Sequence, residues 1–125
     1  VLYTASPDRG LDVLLELWPR VREQVPDAEL HHCYADVYDA VADQDPAIAK
    51  HRDRIRELSD QPGVTRHGSL SQPKLAALMC ASKVWAHPSW ASLHNAPFHE
   101  TFCIGAVEAQ AAGCRVVTSG WGALA

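Results

Sequence analysis

The clearest chemical signal in this chain of 125 residues is a pair of glutamates eight positions apart. They are Glu100 and Glu108 in His99-Glu100-Thr101-Phe102-Cys103-Ile104-Gly105-Ala106-Val107-Glu108-Ala109. The spacing alone is weak, because a chain with six glutamates readily produces one such pair by chance. Placement gives it meaning. A helix is predicted from about Cys103 to Ala112, stopped by Gly113. Glu100 precedes it, and the free amides of Phe102, Cys103 and Ile104 open it. Such amides and the helix dipole attract an anion, phosphate above all. Glu108 lies about five residues into the helix, ~7 Å further along the axis. A diphosphate on the amides would therefore have a carboxylate on each side, and each carboxylate can accept two hydrogen bonds from vicinal hydroxyls. One acid for a ribose and one for a second sugar is what a sugar nucleotide requires.

Other readings of these residues stay open. Glu100 as a plain loop acid would gain ~0.5 kcal/mol from the helix dipole. Glu108 shares its helix with Ile104, Ala106, Val107, Ala109, Ala111 and Ala112, and a carboxylate so close to an apolar face is expected to have a partner. Arg9, in the turn Ser6-Pro7-Asp8-Arg9-Gly10, either reaches the same phosphates or is an ordinary turn residue. Cys103 sits where a thiolate is favoured, yet no histidine or aspartate partner is fixed by the sequence, so it reads as a small apolar filler.

The elements that must position these groups alternate. Val1 to Thr4 reads as a buried strand, followed by a helix from Leu11 to about Gln24 with Leu11, Leu14, Leu15, Trp18 and Val21 on one face. Pro19 removes a donor inside that helix. Glu29 to Tyr34 is a second extended run, and Asp36 to Asp45 reads as an exposed acidic loop. Pro46 to Ser59 reads as a helix with a thin stripe of Ala47, Ile48, Ile55 and Leu58, its basic cluster forming a solvated face. Val64 to His67 is a weak third strand. Ser71 is the expected N-cap of a helix over Gln72 to Ala81, with Leu75, Leu78 and Met79 inward. Lys83 to His87 is a fourth strand, Trp90 to His99 a loop, and Arg115 to Thr118 a fifth strand. Five strands alternating with helices predict an α/β fold, a three-layer Rossmann-like open parallel sheet with helices on both faces. Ligands of such sheets bind beyond the carboxyl ends of the strands. The chemistry is expected at Thr4 to Gly10, from Tyr34 onward, at Gly68 to Ser71 and at Ser89 to Ile104.

Several function classes are excluded. The first strand is followed by Thr-Ala-Ser-Pro-Asp-Arg-Gly, which lacks the GxGxxG of nicotinamide-binding domains, and no GxxxxGK[ST] loop occurs. A net charge of −4 argues against a broad nucleic-acid surface. No apolar run approaches the ~20 residues of a membrane span. No HExxH or zinc-finger spacing appears among the seven histidines. His31-His32-Cys33 alternate across a strand, so partly buried strand residues are a better reading than a metal site. The four cysteines contain no CxxC pair, which fits reduced thiols in the cytoplasm.

Ser6-Pro7-Asp8-Arg9-Gly10-Leu11-Asp12, Leu14-Leu15 and Trp18-Pro19 resemble the start of the donor-binding domain of group 1 retaining glycosyltransferases of GT-B fold. His67-Gly68-x-Leu70, Val84-Trp85-Ala86-His87-Pro88-Ser89, Glu100-Thr101-Phe102-Cys103-Ile104, Glu108-Ala109-x-Ala111-x-Gly113 and Val116-Val117-Thr118 continue the pattern in order. The resemblance implies transfer of a sugar from a nucleoside-diphosphate sugar to an acceptor hydroxyl, with retention and no obligatory metal or other cofactor. It implies that Glu100 contacts the donor sugar near the reaction centre and that Glu108 holds the ribose. Thr101, Phe102, Cys103 and Ile104 would cradle the diphosphate, with Arg9 and Gly10 facing it and Leu70 flanking the base.

Three departures stand out. Thr4 replaces a common arginine, Thr-Phe-Cys replaces a glycine-rich loop, and Trp90 to Phe98 is long. The resemblance further implies that residues 1–125 form one nucleotide-sugar binding domain, cut at both ends, with an acceptor domain and any peripheral membrane contact lying elsewhere. Transfer by this piece alone is not expected. A non-catalytic nucleotide-binding module, or half of a phosphorylase or epimerase of the same fold, is the alternative.

Overall fold

The computed structural model describes residues 1–125. Its main sheet contains β1 (Leu2–Tyr3), β2 (Leu30–His32), β3 (Val64–Arg66), β4 (Val84–His87) and β7 (Arg115–Thr118). All neighbours are parallel and the spatial order is β3-β2-β1-β4-β7. Counting only these strands, this is 3-2-1-4-5, the first five positions of the dinucleotide-binding order. The chain winds outward from β1 to β3, then returns to place β4 on the other side of β1. A crevice therefore opens between the carboxyl ends of β1 and β4.

Alternation along the strands builds both cores. Leu2, Cys33 and Trp85 face α3 (Gln72–Ala81) and α4 (Ile104–Ala111), packing with Leu75, Met79, Ala106, Ala109 and Cys114. Tyr3 and Leu30 pack with Leu11, Leu15, Trp18 and Ile55 of α1 (Leu11–Gln24) and α2 (Pro46–Ser59). A strand covered on both faces in this way has apolar residues at consecutive positions, as the sequence shows.

Pro19 leaves the Leu15 carbonyl without its helical donor. The Gln61 side chain supplies one at 3.0 Å, and it also bonds the Leu58 carbonyl at 2.5 Å. One amide thus ties the middle of α1 to the end of α2.

The structure corrects four local expectations. Asp36 to Asp45 is not simply an exposed loop: short 3-10 turns at Ala35–Tyr38 and Ala42–Gln44 bury Tyr38 and Ala42. In α2 Ala47 is exposed, while His51 and Ser59 join Ile55 on the buried face, the geometry of a 3.6-residue period. Ser71 occupies the N-cap of α3, but its side chain makes no capping bond. Within Trp90 to His99 a small antiparallel hairpin forms from β5 (Trp90–Ala91) and β6 (Ala96–Pro97), joined through a turn at Ser92–His94. No helix is long and apolar enough to cross a membrane.

Candidate functional site at the carboxyl edge

The loops after β1 and β4 meet over the crevice. Gly10 permits this. Its φ is +94°, and a Cβ there would lie 2.9 Å from the Pro88 side chain. Only glycine combines that backbone with that approach. Arg9, the preceding residue, lays its guanidinium over the Phe98 ring, 3.5 Å from the centroid, and pairs with Asp8 at 2.5 Å. Thr4 is also accounted for: its hydroxyl accepts the indole N–H of Trp85 at 2.8 Å. A basic side chain at that position would lose this bond between β1 and β4.

His87 ends β4, and its ring is buried at 1% exposure, stacked on Trp85 at 5.3 Å. Its Nε2 lies 3.4 Å from Glu100 Oε1, too poorly aligned for a hydrogen bond, and neither ring nitrogen has a partner. Burial lowers the His87 pKa, Glu100 opposes that shift, and the Arg9 charge adds to it. The imidazole is therefore neutral near pH 7. Other buried polar atoms without partners are Ser89 Oγ, Thr118 Oγ1, His32 Nδ1 and the hydroxyl of Tyr38, in the 3-10 turn that follows β2. They lie at or just beyond the ends of β4, β7 and β2. Unpaired buried polar atoms are rare in proteins, and each calls for an explanation, of which a missing binding partner is one.

Glu100 is held by its backbone. It pairs with Gly122 in a parallel bridge, and its carbonyl accepts from the Ala123 amide at 2.8 Å. Gly122 has φ +62°, and a Cβ there would meet the Glu100 carbonyl oxygen at 2.3 Å. Trp121 packs edge-on against His99, securing the same segment. Only 19% of the Glu100 side chain is exposed.

Helix α4 starts at Ile104, one residue later than predicted, with Cys103 at the N-cap. The first amides to find a carbonyl within this turn are those of Ala106 and Val107, both on Cys103 O. The amides of Phe102, Cys103 and Ile104 have no carbonyl acceptor. Thr101, Phe102 and Ile104 are exposed, and a Cβ added at Gly105 would lie 3.0 Å from the Trp85 ring, so glycine lets α4 start close against it. Burial raises the Cys103 pKa, with helix amides acting in the opposite direction. The residue is a thiol, consistent with a filler and not an activated nucleophile.

Glu108 differs from expectation. It is exposed and forms no ion pair or hydrogen bond, because Ala106 and Ala109 are the residues α4 turns toward the sheet. It borders a groove of about 310 Å³ between α3 and α4, lined also by Gln72, Leu75, Ala76 and Met79. Tyr34 lies close enough for the Glu108 charge to help raise its hydroxyl pKa, after burial and Cys33. Leu70 is half-buried against the α3–α4 core. The loops carrying Tyr34 and Leu70 are joined by Asp36, which accepts from the Ser69 amide at 3.0 Å and its hydroxyl at 3.1 Å.

Arg9, Gly10, Glu100 and the opening of α4 thus gather on one side of the carboxyl edge, while Glu108, Tyr34 and Leu70 lie on the other. Tyr34 and Ser89 fall within loops expected from the sequence to carry chemistry, whereas His87 and Gly122 are singled out only by the structure. Ser89 and Tyr34 hold φ of +52° and +65°, a backbone that such side chains rarely adopt and that clusters at functional sites. A histidine closing an apolar strand was the one readable signal among them. A larger hollow of about 700 Å³ opens at the opposite, amino edge, between Val1, Val25, Glu29 and Val84. None of the unpartnered atoms lies there, so the carboxyl edge is the better candidate.

Compared with known families, residues 1–125 match a family model described as glycosyl transferases group 1. A search of curated proteins finds no match.

Proposed function

This chain belongs to the group 1 glycosyltransferases, and from that premise we propose that its carboxyl-edge crevice holds a nucleoside-diphosphate sugar. The observation that carries the reading is the convergence of Arg9, Glu100 and the open amides of Phe102, Cys103 and Ile104 at the crevice between β1 and β4. The amides and the helix dipole receive the diphosphate. Arg9 turns from Asp8 and Phe98 toward its oxygens. Glu108 takes the ribose hydroxyls, with Tyr34 and Leu70 beside the base. Glu100 takes hydroxyls of the donor sugar, since its backbone pairing with Gly122 fixes where its carboxylate stands.

As the glycosidic bond breaks, negative charge grows on the leaving diphosphate. Donors aimed at that charge bind the transition state more tightly than the ground state, which is what lowers the barrier. Attack by the acceptor hydroxyl from the departing face gives retention. A separate acceptor-binding domain supplies that hydroxyl, and the work is done in the cytoplasm without an obligatory metal. A non-catalytic nucleotide-binding module is a second reading, favoured by Thr4, which is committed to Trp85 and adds no positive charge.

Titration with UDP, GDP and ADP tests the site. At least one should bind, and Glu108→Ala and Arg9→Ala should each weaken it about tenfold or more. No affinity for any of the three, or affinity indifferent to both changes, contradicts the donor site.

A further inference from the structure

Arg9 stands at the crevice with its charge already engaged. Its Nη1 pairs with the Asp8 carboxylate at 2.5 Å, and its guanidinium lies 3.5 Å above the centre of the Phe98 ring. To turn toward a diphosphate it gives up both contacts. On the premise that the crevice holds a nucleoside diphosphate, we propose that Phe98 and Tyr38 are positioning residues that set how readily Arg9 is released to it. Phe98 holds the guanidinium in a latched position, and the Tyr38 hydroxyl takes the place of Arg9 on Asp8 once the latch opens.

The ring is held by its own backbone and not by Arg9. Phe98 follows the hairpin of β5 and β6, and its amide donates to the Ser89 carbonyl at 2.7 Å. The hairpin in turn is tied to the head of α1, where the Ser92 hydroxyl donates to Asp12. Pro88 and Trp90 close on Gly10, whose Cβ position would lie 2.9 Å from the first and 3.3 Å from the second. Phe98 therefore stays in place when the guanidinium leaves. A cation over an aromatic face at a partly exposed site is favoured about two- to fivefold.

Asp8 has a second partner in waiting. Tyr38 is buried in the 3-10 turn after β2, and its hydroxyl forms no hydrogen bond. Burial raises the Tyr38 pKa and the Asp8 charge raises it further, so the carboxylate is close by. The ring packs on His51 with 5.7 Å between centroids, and His51 donates to the Pro7 carbonyl at 3.4 Å. Tyr38 is thereby held beside the turn that carries Asp8 and Arg9. A buried hydroxyl without a partner is costly, and a bond to Asp8 removes that cost. Asp8 keeps its bond from Ser6 in either arrangement. The carboxylate thus has one set of partners with Arg9 latched and an equivalent set with Arg9 gone.

A double-mutant cycle read by titration with UDP, GDP and ADP tests the latch. Phe98→Leu, which keeps an apolar side chain, should tighten the best-binding nucleotide about threefold. Tyr38→Phe, which removes only the hydroxyl, should weaken it about threefold. Both effects should vanish in an Arg9→Ala background, which a mere loss of packing would not produce. The latch also has a signature in the free chain. The NMR signal of the Arg9 Nε–H, assigned by its loss in Arg9→Ala, should be displaced by the Phe98 ring and should return toward its ordinary position in Phe98→Leu or on adding nucleotide. Nucleotide binding that Arg9→Ala weakens but Phe98→Leu does not tighten overturns the latch and leaves the donor site standing. So does a Phe98→Leu effect that persists without Arg9, or an Arg9 signal that Phe98→Leu does not move. Absence of binding by all three nucleotides overturns both.

Discussion

The buried carboxyl ends of the strands and the outer surface of α4 each hold one glutamate of the same motif, and the surroundings could hardly differ more. Glu100 has a fixed backbone, a buried imidazole at 3.4 Å and little exposure. Glu108 stands on an exposed helix surface without a partner. The first carboxylate is placed by the fold. The second makes no contact on which the fold depends. Two acids at one spacing thus stand in opposite settings, one preorganised by its backbone pairing and one free on the helix surface.

The largest expected effect tests how far burial governs the strand ends. Burial lowers the His32 pKa to about 4, with Arg66 and His67 adding to it. A histidine with a depressed folded pKa binds fewer protons folded than unfolded. Stability is therefore full above the unfolded pKa of about 6.5 and is lost as pH falls toward 4, by about 3 kcal/mol from this residue. Urea denaturation from pH 7 to pH 4 should show that loss, and His32→Gln should flatten it. His87 contributes in the same direction. Glu100→Gln should steepen the acid loss by removing a group that favours the charged imidazole, whereas Glu108→Gln should leave the curve unchanged. Equal curves for these two variants would erase the contrast.

Next in size is nucleotide affinity. Glu108→Ala forfeits charge-assisted bonds to the ribose, about 2 kcal/mol or roughly thirtyfold in Kd, with thermal stability unaltered. Glu100→Gln should leave nucleoside-diphosphate affinity within about twofold and remove only the extra affinity contributed by the sugar. Calorimetric titration of each variant with a nucleoside diphosphate and its sugar conjugate separates the two roles.

Gly122→Ala is smaller again, about 1.5 kcal/mol of stability, because the new Cβ meets the Glu100 carbonyl and the backbone is left-handed. Its signature is selective. Sugar-dependent affinity should fall while ribose-dependent affinity persists, and loss of both together would mean the C-terminal segment supports the whole pocket. The smallest effect belongs to Tyr34→Phe, which removes a hydroxyl beside Glu108 and should change affinity by no more than about threefold.

Much of this fold is legible in the sequence. Helices α1, α2 and α3 begin and end where Gly10, Pro46, Pro62-Gly63 and Ser71 indicate, because apolar periodicity and backbone punctuation are local properties. The 3-10 turns that bury Tyr38 and Ala42 were hidden by the acidic residues around them. The hairpin of Trp90–Ala91 and Ala96–Pro97 was hidden because its strands are too short to alternate.

For the site, the four loops expected at the carboxyl edge are there, set by strand direction alone. Three long-range facts were beyond reach. An alanine-rich helix gives no clue that Ala106 and Ala109, and not Glu108, face inward. A glycine near residue 122 does not reveal that it packs on Glu100. Nothing near Thr4 points to Trp85, 81 residues away.

In the proposed donor site the diphosphate rests on the opening of α4 between β1 and β4. Backbone amide chemical-shift mapping of the labelled chain during titration with a nucleoside diphosphate tests it most directly. The largest shifts are expected at Phe102, Cys103 and Ile104, with further shifts at Arg9, Gly10 and Glu108. Saturable shifts confined to the amino edge, around Glu29 and Val84, or no shifts at Phe102 to Ile104, would contradict it.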